Sequence, residues 1–106
     1  MRYLFDHIPD DDDVLFKVAF DIMINLRNEI QSFKDLINRK DIIMESSGFS
    51  FHDEYNRPID EVLVWYLEDE KRYNKEKFYQ LLTTAISKYF SMYPEGKDEI
   101  TKILNL

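Results

Sequence analysis

The sequence predicts a mostly α protein, a small bundle of three main helices plus a short C-terminal helix. Three observations lead there. Two glycines and three prolines are too few for a turn-dense sandwich or barrel. Apolar residues recur at helical spacing, as in Val18, Ile22, Leu26, Ile30, Phe33 and Ile37. Asp and Asn residues stand where such stretches begin and suit helix N-caps. At 106 residues the chain reads as a single acidic helical domain, 1–106, and 44% hydrophobic residues can fill one ordinary core.

The first helix starts after Pro9. Asp10 suits the cap, and Asp11, Asp12 and Asp13 suit the first turn, where free N–H groups and the helix dipole favour negative charge. The same run fails as a calcium loop, lacking alternating ligands, a central glycine and a distal glutamate. The helical pattern continues to about Asn38, with a second apolar stripe, Phe16, Phe20 and Ile24, on its flank. Around Gly48 the periodicity breaks. Phe49-Ser50-Phe51 alternates like a strand, so residues 42–52 form either a short β-hairpin or a loop whose aromatics dock on the helices.

Pro58 opens a second helix running to about Arg72. Its centre, VLVWYL, is apolar on all sides and would also suit a buried strand. The acidic start at Asp60 and Glu61 and the basic end at Lys71 and Arg72 favour the helix through its dipole. Asn74 caps a third helix, Lys75–Tyr93, with Phe78, Tyr79, Leu81, Leu82, Ala85, Ile86, Tyr89, Phe90, Met92 and Tyr93 on its apolar half. Its polar half, Gln80, Thr83, Thr84, Ser87, Lys88 and Ser91, is rich in hydroxyls and suits close approach of a second surface. Pro94 and Gly96 end it, and Lys97–Leu104 forms the last short helix. The stretch PEGKDEI resembles a short segment of the helical immunity proteins that inhibit colicin nucleases. It lacks the tyrosine pair that precedes that segment there, and neither membership nor residue roles are carried over from it.

Charge and composition narrow the function. Formal net charge is -7, and residues 1–70 hold 17 acids against 7 bases. Such a surface repels phosphate backbones, so no direct nucleic-acid binding is expected. The longest apolar run, Val62–Leu67, is far shorter than the roughly 20 residues that span a bilayer. With no signal-peptide pattern at the N-terminus, a cytoplasmic protein with no membrane contact is expected. Cysteine is absent, which removes disulfides, thiolate metal sites and cysteine nucleophiles. His7 and His52, each beside carboxylates, could form an acid–base or metal site only if the fold brought them together. No Gly-rich phosphate loop, HExxH or nucleophile elbow accompanies them. No enzyme, cofactor, metal or catalytic residue is therefore expected.

What remains is binding. Tyrosine joins a large contact area to a polar tip at low rotamer entropy. Tyr55, within His52-Asp53-Glu54-Tyr55, is the candidate anchor, with Tyr66 and Tyr73 behind it. The expected partner surface is Asp53, Glu54, Tyr55, Asp60, Glu61, Glu68 and Asp69, facing a basic protein. The function this implies is a non-enzymatic inhibitor masking a cationic partner. Examples are an immunity or antitoxin-type protein neutralising a nuclease toxin, and a phage-encoded nucleic-acid mimic. The alternative is a helical structural or assembly subunit forming homo-oligomers through the Phe16, Phe20 and Ile24 stripe or the hydroxyl face.

Overall fold

Between Pro58 and Asn74 the chain is a β-hairpin, and this decides the architecture. The computed structural model describes residues 13–104. In chain order these are α1 (Val14–Leu26), α2 (Glu29–Ile37), β1 (Ile42–Ile43), β2 (Ser47–His52), β3 (Pro58–Tyr66), β4 (Asp69–Asn74), α3 (Lys75–Met92) and α4 (Lys97–Leu104). The four strands form one antiparallel meander, ordered β1-β2-β3-β4. The fold is α+β, and the expectation of a mostly α bundle is overturned. The hairpin near 42–52 exists, but as half of a larger sheet.

The physical reason lies in VLVWYL. Its β-branched and aromatic residues pack well on a pleated surface, and alternate side chains take opposite faces. Val62 and Val64 are fully buried under the helices, while Leu63 and Trp65 stand on the other face. The charges at 60–61 and 71–72 need no dipole, because they sit at exposed or half-buried strand positions. A two-residue turn, Leu67-Glu68, joins β3 to β4 with Leu67 at φ 55°. Its amide donates to the Ser46 carbonyl at 2.7 Å, tying the turn to the start of β2.

The expected single helix from Asp11 to Asn38 is instead two. Arg27 and Asn28 are extended, and the Asn28 side chain accepts from the Gln31 amide, which starts α2 afresh. Arg27 reaches across to Asp35 at 3.0 Å and fixes the bend. At the N-terminal end Asp13 is the N-cap residue rather than part of the first turn. Asp10, Asp11 and Asp12, and the cap assigned to Asp10, lie outside the described residues. The third helix is found with the expected cap, the Asn74 side chain accepting from the Lys77 amide at 2.7 Å.

α1 lies across the inner face of β2, β3 and β4, with α3 beside it on β3 and β4; α2 packs on α1 and β1, and α4 on α2. Lys34 and Glu99 pair across the α2–α4 contact. The core is aromatic: Phe16 meets Phe20, Phe49, Tyr73 and Phe78 at centroid distances of 5.7–6.3 Å, three of the four edge-on. Each fully buried phenylalanine contributes roughly 1.5–3 kcal/mol. Phe16, Phe20 and Ile24, the stripe offered above for assembly, belong to this core and are at most 1% exposed. Tyr73, expected behind the anchor, is core as well.

Candidate functional site: the open face of the sheet

All the helices that touch the sheet broadly lie on one side of it, and the opposite side is left open. Register fixes what stands there. Gly48 faces Trp65, which faces Glu70, and Ser50 faces Leu63, which faces Arg72. Ser50, Leu63, Trp65, Glu70 and Arg72, with the loop residues Asp53 and Glu54 and with His52 and Ile59, line a shallow concavity of about 680 Å³. Trp65, the single tryptophan, lies over Gly48: a methyl group on Gly48 would come within 2.4 Å of the indole Cζ2. Leu63, Ile59 and Trp65 supply apolar surface between charged neighbours. At the β1 edge of this face Ile43 is 75% exposed.

A bulge shapes the floor. Ser50 pairs with Leu63 but His52 pairs with Pro58, so residues 59–62 of β3 stand opposite Phe51 alone. The chain fills the gap with Arg39, itself at φ 56°. Its Nη2 donates to the carbonyls of Ile59 (2.8 Å) and Glu61 (3.3 Å), and its guanidinium lies 4.9 Å over the Phe51 ring. Asp41 closes the other side of β2, accepting from the Phe51 amide at 2.7 Å and from His52 Nδ1 at 3.0 Å. A carboxylate only accepts, so Nδ1 carries the proton.

Asp41, His52 and Ser50 carry the residue types of a nucleophilic triad without its geometry. Ser50 donates to the His52 carbonyl (3.1 Å) and makes a marginal 3.5 Å contact to Asp41; no bond joins it to the imidazole. His7, the other histidine weighed for chemistry, lies outside the described residues. Among the described residues no three metal-ligating side chains are placed to hold an ion.

The seven expected partner residues are divided by the fold. Asp53, Glu54 and Tyr55 form the β2–β3 loop beside Asp60 and Glu61, while Glu68 and Asp69 sit at the far end of the hairpin, ~25 Å of strand away. Asp53 is an internal organiser of the loop. Its carboxylate accepts from the amides of Tyr55 and Arg57 (both 2.9 Å) and from Arg57 Nε (2.8 Å). Hydrogen bonding from the Arg57 amide, ahead of the Arg57 side chain, holds its pKa below the usual carboxylate value. Tyr55 is 71% exposed, with the Arg57 guanidinium 5.1 Å over its ring. Glu54 and Glu70 form no ion pair among the described residues, whereas Arg72 reaches toward Glu61 at 4.0 Å. Sequence reasoning missed Trp65, Leu63, Ile59 and Glu70. Reading Val62 and Val64 as the buried half of an alternating strand would have put Leu63 and Trp65 on the open face.

The hydroxyl face of α3 lies elsewhere. Thr84 lines a separate groove of about 430 Å³ with Lys17, Lys77 and Lys88, beside a 3.4 Å Lys77–Asp13 pair. No helix among the described residues is long and apolar enough to cross a membrane. Neither a protein-family model nor a curated protein matches the chain.

Proposed function

We propose that this is a non-enzymatic protein-binding domain whose open sheet face masks a cationic surface of a partner protein. The observation that carries the reading is the concavity around Trp65, a large amphipathic ring among apolar side chains, rimmed by Glu54, Glu61 and Glu70. Aromatic residues dominate interface energetics, and carboxylates at the rim steer a basic partner and select against an acidic one. From β2 to β4 the chain carries seven acids and three bases, so the face disfavours nucleic acid and a second copy of itself. An immunity or antitoxin-type protein neutralising a nuclease toxin fits this description, as does a phage-encoded nucleic-acid mimic. An intracellular, cytoplasmic setting accords with the absence of cysteine.

Affinity capture from a lysate of the cells that carry the gene tests the reading. At low salt the native protein retains a basic protein. Trp65→Ala loses it, Tyr79→Ala on the helix layer keeps it, and the triple change Glu54→Lys, Glu61→Lys, Glu70→Lys abolishes capture. Raising ionic strength weakens retention, because exposed charges are screened beyond about 8 Å at physiological salt. Undiminished capture by the Trp65→Ala protein would remove the sheet face from consideration.

A further inference from the structure

We infer that the hollow beside Trp65 receives one arginine side chain of the partner, its guanidinium stacked on the indole and held by Glu70. This rests on the docking reading above and gives it a chemical specificity. Two features converge. The indole is laid on the backbone at Gly48, where ring carbons come within 2.4–2.6 Å of the place a Cβ would occupy, so the absent side chain makes room for the ring against the sheet. Glu70 stands directly across from Trp65 in the β3–β4 register, on the same face and lining the same hollow. Side chains so paired have Cβ atoms about 5 Å apart, which puts a carboxylate at the edge of whatever stacks on the ring.

The electrostatic balance of the hollow supports the choice. Of its carboxylates, Asp53 is saturated by its own loop, while Glu54 and Glu70 form no ion pair among the described residues. Arg72, the one resident cation of the lining, leans toward Glu61 on the neighbouring row. A stacked cation with donors in its plane satisfies both the indole and Glu70, while Glu54 adds negative potential at the other end of the hollow. A guanidinium is planar, weakly hydrated and carries five N–H donors, so it can stack and bind a carboxylate bidentately at once. An ammonium has the charge without the plane.

The test uses the protein's own reporter, since Trp65 is the only tryptophan. Acetyl-Gly-Arg-Gly-amide is titrated into the intact protein at constant ionic strength, in parallel with its lysine and citrulline counterparts. Binding is followed by Trp65 emission and by the indole Nε1–H resonance. The arginine peptide should saturate both signals, the lysine peptide should bind roughly threefold to tenfold more weakly, and the citrulline peptide should leave both signals in place. Glu70→Gln should weaken arginine binding about tenfold while the free protein's emission and thermal melt stay put. Equal affinity for arginine and lysine, or an unchanged affinity in Glu70→Gln, overturns the inference, as does a flat arginine titration. The two readings fail separately. Partner capture lost in Trp65→Ala with a flat arginine titration removes only the arginine receptor, whereas capture that survives Trp65→Ala removes the docking face itself.

Discussion

Gly48→Ala should damage the fold and the candidate site together, and its magnitude follows from the coordinates. In an ordinary strand alanine is better than glycine by roughly 0.5–1 kcal/mol, because glycine loses more backbone entropy on folding. Here the added methyl would lie 2.4 Å and 2.6 Å from Trp65 ring carbons and 2.5 Å from the Ile42 carbonyl oxygen. The indole can swing away, but the carbonyl belongs to the β1–β2 pairing, where Ile43 faces Gly48. Overpacking of this kind costs about 1–3 kcal/mol, and part of it persists after any rotamer change. A net loss of about 1–2 kcal/mol is expected once the entropy gain is set against it. For a domain of this size that lowers the melting temperature by about 4–15 °C. Thermal and urea denaturation measure the loss, and Trp65 emission should move to longer wavelength as the ring leaves the sheet. Combining the change with Trp65→Ala separates the two contacts: the indole share of the penalty disappears and the Ile42 share stays. A Gly48→Ala protein as stable as the native one, with unchanged emission, would refute the account of how Trp65 is seated.

Three further outcomes follow from named contacts. Arg39→Met should cost about 2 kcal/mol in urea denaturation, because it removes a charged donor from the Ile59 and Glu61 carbonyls at the bulge; Arg39→Lys should recover little of it. Leu67→Gly should raise stability by about 0.5 kcal/mol, since a non-glycine residue at positive φ costs more than glycine's extra unfolded-state entropy and the side chain is 64% exposed. A loss of stability there would contradict the turn geometry. Asp53 has a folded pKa below its unfolded value of about 3.9, so its contribution to loop order is present above that value and lost as pH falls through the folded one. Tyr55 and Arg57 amide resonances should therefore titrate with a midpoint below about 3.9, and a midpoint at or above it would discount the Asp53 bonds.

Much of the helical part is legible in the residues. In α3, segregated faces and the Asn74 cap coincide, and local propensity and tertiary packing ask for the same thing. The sheet is harder. VLVWYL is short enough to suit either period, and its flanking charges imitate a helix dipole. The turn that would have exposed the hairpin, Leu67-Glu68, has none of the Gly or Asn that usually marks one; a long-range bond from the Leu67 amide to the Ser46 carbonyl supports it instead. The α1–α2 break was readable from Asn28-Glu29, a cap followed by a first-turn acid, but the apolar spacing running through Leu26 and Ile30 hides it. Arg39 in the bulge could not be read at all, since its partners lie 20 and 22 residues away. The acidic loop at 53–55 was found, yet Asp53 turns inward to hold it. The aromatic centre of the candidate site is hidden in the sequence because VLVWYL also reads as a helix.

The most direct test of the central claim is the indole Nε1–H resonance of the isotope-labelled protein, a single peak owed to Trp65, followed as the captured basic partner is added. If the open sheet face is the docking surface, the peak shifts or broadens at low salt and returns to its free position as salt displaces the partner. A partner that binds while this resonance stays unmoved would place the interface elsewhere on the molecule and contradict the account.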